Sequence, residues 1–276
     1  MKTRIAYQGE PGAYGHEACV KYDPNAIPVP CESFESAIES VQSGENDLAM
    51  LPIENSTYGR VADNHRLIPD CGLHIIDEAF VRVRIALMAR AGVTLDDIRT
   101  VRAHPVLLPQ SAAFLKQHGI QGIAAADSAG AAADLSAEDK PGEGVLASVM
   151  AAETHGLNVL ARDIEDHGHN TTRFVIMSRE PDVTRRGELG MMTTFVFEVR
   201  NIPAALYKAM GGFATNGVNM TKLESYMVDG SFTATRFYSD IDGHPDDDNV
   251  RLAFDELKYF TSYLNILGVY PAAQAR

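Results

Sequence analysis

The last third of the chain changes hydrophobic period in an order that few topologies accommodate. "TTFVFEV" (193–199) alternates as a half-buried strand does, and "PAALYKAMGGFATNG" (203–217) reads as a helix with Pro203 at its start and Gly217 at its end. "VNMTKLESYMV" (218–228) and "GSFTATRFYSDI" (230–241) return to strand character, joined through Asp229-Gly230, a pair suited to a tight hairpin turn. "DDDNVRLAFDELKYFTSYL" (246–264) is then a helix whose acidic start complements the helix dipole, and "NILGVYP" (265–271) closes as a strand. The order is βαββαβ, a ferredoxin-like α+β unit. Its helices cover one side of a four-stranded sheet, so the unit is expected to pair with a partner through another surface.

Upstream the pattern differs. "RIAYQ" (4–8) precedes a helix from about His16, "SFESAIESVQSG" (33–44) is a helix closing on Gly44, and "DLAMLPIE" (47–54) is a strand. A second series has "VRVRIALMAR" (81–90) as one long strand, "PQSAAFLKQHG" (109–119) and "AGAAADLSA" (129–137) as helices, and "HNTTRFVIM" (169–177) as a strand. Strands alternating with helices imply mostly parallel sheet, here two α/β lobes with a cleft between them. Between the patterns, "SREPDVTRRGELG" (178–190) is polar, with one proline and two glycines, as a linker is. The expected plan is a two-lobed unit over 1–180, a linker over 181–191 and the βαββαβ unit over 192–276.

Charge narrows the function. A net charge of -13 and a pI near 5.1 argue against a nucleic-acid partner, which requires clustered Lys and Arg. The N-terminus lacks the apolar core of a signal peptide, and no stretch is long enough for a membrane span. Three cysteines, Cys19, Cys31 and Cys71, lack metal spacing and are expected reduced, in a cytoplasmic protein.

A few stretches carry chemistry. "HNTTRFVIMS" (169–178) sets Thr171, Thr172 and Arg173 against an apolar run that reads as a strand buried on both faces. An arginine there needs an anion or a route to water, and an internal salt bridge satisfies this as well as a ligand does. "YQGEPGAYGHEA" spaces Gly9, Gly12 and Gly15 between strand and helix, which suits either a tight turn or an anion held by N–H groups. Its G-x-x-G-x-x-G spacing, with Pro11, departs from the dinucleotide fingerprint. "LPIENSTYGRV" puts Glu54, Asn55, Ser56 and Thr57 at a strand's carboxyl end, where α/β proteins bind ligands and where capping turns also occur. "RAHPVLLPQS" brings His104 and Gln110 to another strand end, whereas His118 and His155 sit in polar helical contexts and invite no role. No metal cluster, nucleophile elbow or P-loop is found in the sequence.

"YQGEPGAYG", "PIENSTYG", "AHP" and "NTTRF", in this order and before an ACT-like βαββαβ unit with "ESYM", resemble the bacterial prephenate dehydratases. The resemblance covers nearly the whole chain. It implies a type II periplasmic-binding-protein-like catalytic domain, no cofactor and no metal, and conversion of prephenate to phenylpyruvate, CO2 and water. Thr172 matches the family's essential threonine and is expected to hydrogen-bond the departing hydroxide, within a catalytic set of Thr172, Arg173, Glu54, Asn55 and Ser56. Arg173 would pair with a substrate carboxylate, and Glu54 and His104 would be proton reservoirs. Gly12, Ala13, Tyr14, Thr57, His104, Gln110 and Phe174 complete the expected substrate site. Because neighbours on a strand point to opposite faces, Thr172 and Arg173 could serve one ligand only at an irregular strand entrance, which is the expectation.

The resemblance also implies phenylalanine binding at ACT domains of a homodimer or tetramer. The expected contacts are Asn201, Ile202, Pro203, Ala204, Ala205 and Leu206, with Asn219, Met220, Thr221, Lys222, Glu224 and Ser225. The family's usual P-G-A-L is "PAAL" here and its E-S-R-P is "ESYM", so Ala204, Tyr226 and Met227 are departures. Two alternatives stay open: arogenate dehydratase, acting on the aminated substrate, and a non-catalytic amino-acid sensor of the same two-lobed shape.

Overall fold

The computed structural model describes residues 2–138, 140–187, 189–200, 202–227 and 234–274. In chain order the elements begin β1 (Arg4–Gln8), α1 (Tyr14–Tyr22), β2 (Ile27–Cys31), α2 (Phe34–Gln42), β3 (Leu48–Asn55), β4 (Gly59–Arg60), α3 (Ala62–Leu67) and β5 (His74–Arg82). They continue with β6 (Ala86–Ala89), β7 (Thr100–Ala103), α4 (Leu107–Gln110), α5 (Ala112–His118), β8 (Gln121–Ala124), α6 (Ser128–Ala137), β9 (Glu143–Ala147), α7 (Val149–His155), β10 (Asn158–Ala161) and β11 (Thr171–Ser178). The last six are β12 (Met191–Val199), α8 (Ala205–Thr215), β13 (Met220–Met227), β14 (Ala234–Asp242), α9 (Asp248–Phe260) and β15 (Thr261–Pro271). The chain forms two compact units, one of Met1–Val61 with Phe80–Phe174, the other of Ala62–Ala79 with Val175–Arg276.

The first unit holds two groups of strands. In one, β1 lies parallel between β2 and β3, and β11 neighbours β3. The helix α2 between β2 and β3 starts cleanly because Ser33 and Ser36 cap it reciprocally. The other is a five-stranded sheet of order β10-β6-β9-β7-β8. Alternation along its strands sorts two cores. Leu87, Val101 and Leu146 face one way, while Ala86, Met88, Val145 and Ala147 face the small side chains of α6 and α7. Alanines make α6 narrow enough to lie close on β9.

Two expected elements are corrected here. The strand over 81–90 ends at Arg82 and resumes at Ala86, because Val83 N–H donates to Asn170 O and Ile85 N–H to Glu165 Oε2, which takes these donors out of a ladder. The helix over 109–119 is two helices, broken at Ser111 with φ -119° and ψ 20°.

The second unit carries β12-α8-β13-β14-α9-β15, the expected βαββαβ order, with strands arranged β13-β14-β12-β15 and antiparallel within that set. Phe195, Phe197, Phe213, Phe237 and Phe254 form the core between sheet and helices. Gly212 permits the close approach of α9, since a Cβ there would lie 2.8 Å from Glu256 Cβ. The second helix ends at Phe260, short of the expected 264. Thr261 turns its hydroxyl onto Leu257 O, and residues from Thr261 pair with β12, where alternating Thr, Tyr and Leu suit a strand. The Asp229-Gly230 turn lies outside the described residues. The sheet face expected to be left for a partner is partly covered within this unit. The His65 ring packs edge-on against Tyr238 at 4.6 Å, Asn265 donates to Pro69 O, and Arg236 bridges Asp70 and Glu198.

Candidate active site

A cavity of about 220 Å³ opens in the first unit. Its walls come from the turn before α1 (Gly12, Ala13, Tyr14), the end of β3 (Asn55), the segment after β7 (His104, Val106, Leu107, Gln110), the start of α6 (Asp127, Ser128, Ala129) and the entry of β11 (Asn170, Thr172). Val83, Ala147 and Ser148 complete it.

Along one wall runs a chain of uncharged groups whose direction is fixed at one end. Asn55 Oδ1 accepts the backbone N–H groups of Thr57 (2.9 Å) and Tyr58 (3.0 Å), which identifies that atom as the oxygen. Asn55 Nδ2 must then donate, and it does so to Asn170 Oδ1 (2.6 Å) and Thr172 Oγ1 (3.0 Å). Asn170 Nδ2 donates onward to Gln110 Oε1. Since Thr172 Oγ1 accepts from an amide, its own O–H is available to donate toward the cavity.

The opposite wall is rigid. Gly12 adopts φ 96° and a Cβ there would sit 2.5 Å from Ala151 Cα, so turn geometry and packing both demand glycine. Ser148 donates to Gly12 O, His155 Nε2 to Pro11 O, and Gly12 N–H donates to His16 Nδ1. Burial lowers the His16 pKa, which keeps that accepting nitrogen unprotonated. Tyr14 donates to Arg84 O, and burial, with Glu17 and Glu165 nearby, pushes its phenol pKa upward, so it is a donor rather than a base.

Among the expected site residues, Gly12, Ala13, Tyr14, Asn55, His104, Gln110 and Thr172 border the cavity; Glu54, Ser56, Thr57, Arg173 and Phe174 are not among its lining. Ser56 ties strands, donating N–H to Thr171 O and Oγ–H to His169 O, and Thr57 fixes Asn55. Phe174 is buried, on the same strand face as Thr172 but two residues further in. The irregular entrance is corrected by the structure. Thr171-Thr172-Arg173 lies within β11, whose alternation turns residue 173 away from the face that carries 172. Arg173, 3% exposed, meets Glu54 Oε1 at 3.0 Å instead.

Sequence reasoning missed Asn170, Asp127 and Ser148. The last two carry a recognisable signal, since each caps a helix: Asp127 accepts from Ala129 and Gly130 N–H, and Ser148 from Ala151 N–H. Asn170, one residue before the quoted triplet, has none. Among the described residues, no group of three or more His, Cys, Asp or Glu side chains is arranged to hold a metal ion.

In the second unit, Ala204 holds φ 62°, the left-handed conformation that glycine would take without cost. Asn201 lies outside the described residues. The start of the second expected phenylalanine-binding segment lies at the opposite end of the sheet from the first segment. Met220 is level, through Ile241, with Thr193, whereas Ile202 follows Val199. Six residues of strand, about 20 Å, separate these two levels, but the second segment runs back toward the first, since Phe237, the partner of Ser225, is level with Phe197, two residues before Val199. Asn219 Nδ2 donates to Asp242 Oδ2, Lys222 approaches Glu224, Ser225 pairs with Phe237, Ala205 is buried, and Leu206 and Met220 pack against the core of phenylalanine side chains. Pro203 and Thr221 complete the two segments, with Thr221 Oγ1 donating to Asp240 O.

The prephenate dehydratase family model matches residues 5–182. The chain belongs to the prephenate dehydratase family. It is 46% identical over 272 residues to a bifunctional N-acyl-homoserine lactone acylase/prephenate dehydratase of Komagataeibacter europaeus, covering 99% of this chain and 97% of that one. It is 39% identical to arogenate dehydratase/prephenate dehydratase 1 of Arabidopsis thaliana, over 98% of this chain and 72% of the relative. The prephenate dehydratase of Arthrobacter aurescens, solved in complex with L-Phe, superposes with a TM-score of 0.90 at 31% identity, covering 99% of this chain and 91% of that one. The mixed α/β fold is therefore that of the family's enzymes, a type II periplasmic-binding-like part with a βαββαβ part. No helix among the described residues is long and apolar enough to cross a membrane.

Proposed function

We propose that this dehydratase converts prephenate to phenylpyruvate, CO2 and water in the cavity of its first unit. The observation that carries the reading is the bond from Asn55 Nδ2 to Thr172 Oγ1, which leaves the Thr172 O–H to donate. As the ring carboxylate leaves as CO2, its bonding pair moves through the ring and expels the distal hydroxyl, and negative charge grows on that oxygen. A hydroxyl already fixed as a donor stabilises that charge as it appears. Thr172 supplies no net proton; the proton that completes water comes from solvent or from His104, and aromatisation drives the reaction. Tyr14 and Ser128 begin α1 and α6, and these positive helix ends suit the substrate's carboxylates. Glu54 and Arg173 act as positioning residues by tying β3 to β11. Amide hydrolysis, the other activity in one relative's name, is supported less well, since among the described lining residues no serine or threonine hydroxyl is hydrogen-bonded to a histidine ring; Ser128 Oγ accepts only the backbone N–H of His104.

Residues 1–180 would form the catalytic domain of a cytoplasmic homo-oligomer, 181–191 the linker and 192–276 an ACT-type sensor of phenylalanine. Asn219 and Met220 lie roughly 20 Å of strand away from the level of Ile202, which supports a site completed for them by a second copy. One experiment tests both parts: purified, EDTA-treated protein is given prephenate, phenylpyruvate is followed, and phenylalanine is titrated with binding heat recorded in parallel. Turnover without metal, altered by phenylalanine, is the expected result. An inert folded sample would end the catalytic reading, and no heat at millimolar phenylalanine the regulatory one.

A further inference from the structure

The hydrogen bonds along the Thr172 wall are one arc of a closed ring. Tyr58 N–H donates to Asn55 Oδ1 at 3.0 Å, and its phenol O–H donates to Val106 O at 3.1 Å. Val106 directly precedes α4 and Gln110 ends that helix, so the ring returns through Gln110 and Asn170 to Asn55. It joins the unit's two groups of strands, since β3 and β11 belong to one and α4 follows β7 of the other. Its members let go with unequal ease. Asn170 and Gln110 are buried, whereas Tyr58 is 47% exposed and holds Val106 through one neutral contact. Ser56 is tied to β11, but residues 57–60 beyond it are all exposed, and the space beside Gly59, at φ 79°, is empty to 4 Å. The Gly12 wall is held more firmly: Ser148 and His155 reach across to Gly12 O and Pro11 O, and Gly12 packs against Ala151.

We infer that Tyr58 is the clasp of the cavity: its hydroxyl leaves Val106 O as substrate enters and returns before the reaction, so that the 57–60 tip, rather than the Gly12 wall, is the moving part. This rests on the dehydratase reading above. Asn55 and Val106 both border the cavity, and Tyr58 spans the gap between them. Lifting the tip also takes one of the two N–H groups away from Asn55 Oδ1, and Asn55 Nδ2 is the donor that sets the Thr172 hydroxyl. Tyr58 is therefore a positioning residue: the donor that meets the leaving oxygen is aligned only when the tip is shut and water is excluded. One neutral hydrogen bond at an exposed site favours the shut tip by about threefold to tenfold. Without it the free protein is mostly open, and substrate has to draw the tip shut. That raises KM by up to the same factor, about tenfold, while the filled cavity still closes and kcat holds.

The experiment compares the full-length wild type with Tyr58→Phe, which removes only the hydroxyl, by prephenate kinetics, melting temperature and amide hydrogen exchange. Tyr58→Phe is expected to raise KM about threefold to tenfold, with kcat within about twofold and the melting temperature unchanged. In the free variant the Thr57 and Tyr58 amides, which donate to Asn55 Oδ1, should exchange about threefold faster or more, while those of β3 and β11 keep their protection. Tyr58→Ala, which also removes the ring, should raise KM at least as far. Unchanged KM and unchanged exchange in both variants would overturn the clasp. So would a lower melting temperature with kcat lost and KM kept, the mark of a structural prop. The exchange measurement needs no turnover: a wild type inert toward prephenate ends the dehydratase reading, and exchange at Thr57 and Tyr58 still decides whether the hydroxyl holds the tip.

Discussion

On one face of β3 and β11, Asn55 and Thr172 border a cavity; on the other, Glu54 and Arg173 close an ion pair, although 54 and 55, and 172 and 173, are chain neighbours. The difference fits the demands of the proposed reaction. A guanidinium against the carboxylate that leaves as CO2 would hold the ground state more firmly than the transition state, because the charge it binds is departing. A neutral hydroxyl aimed at the leaving oxygen gains strength as charge arrives. Strand alternation delivers both arrangements from two short motifs, with the Glu54–Arg173 charges on the face away from Asn55 and Thr172.

The largest effect that could break this contrast is at Thr172. Thr172→Ala should lower kcat by about a hundredfold or more with KM little changed, since the interaction lost forms mainly in the transition state. Thr172→Ser keeps the hydroxyl and the bond from Asn55 and should recover all but about tenfold of the loss. Equal losses in Ala and Ser would show that the methyl matters and the hydroxyl does not.

The opposite face predicts a different signature. Arg173→Met leaves Glu54 without this ion pair, and because Glu54 is 30% exposed and can rehydrate, the cost is about 2 kcal/mol, below the ~3–5 kcal/mol of fully buried pairs. The melting temperature should fall while kcat of the folded fraction stays within about threefold, and adding Glu54→Gln should cost less than the two single changes summed. A hundredfold loss of kcat with unchanged melting would put Arg173 back on the substrate and erase the contrast.

These two residues also show what a sequence can carry. The βαββαβ order was legible because its period switches between strand and helix are long and bounded by Pro203, Gly217 and Asp246 to Asp248. The boundary at Thr261 was not, because "KYFTSYL" keeps helical spacing while strand pairing decides the matter. The motifs put Thr172 and Asn55 in one catalytic set, and plain alternation, which the expected irregular entrance set aside, is what turns Arg173 to the other face. The motif nevertheless invited all three into one site, since a sequence cannot show that Glu54 lies across from Arg173 at 3.0 Å. Asn170 was silent because an asparagine before a strand looks like any loop residue until its amide is seen between Asn55 and Gln110.

The smallest expected effect concerns the wall opposite Thr172, where a titrating group does support the cavity. Two histidines hold the turn at Gly12: His155 Nε2 donates to Pro11 O, and His16 Nδ1 accepts from Gly12 N–H at 2.9 Å. A donating bond survives protonation, whereas an accepting one is replaced by two opposed N–H groups. Burial lowers the His16 pKa, so between that value and about 6.5 the unfolded chain binds more protons than the folded one. The stability His16 contributes is complete above this window and is lost as pH falls through it. Gly12 cannot shift freely against Ala151, so protonation should loosen the substrate wall, raising KM about threefold toward acid while kcat holds. His16→Gln offers an amide oxygen to Gly12 N–H and does not titrate, so its KM and melting temperature should both lose the acid step. If wild type and His16→Gln share the same acid limb, the turn is held by His155 and Ser148 alone, and the rigidity of this wall owes nothing to protonation.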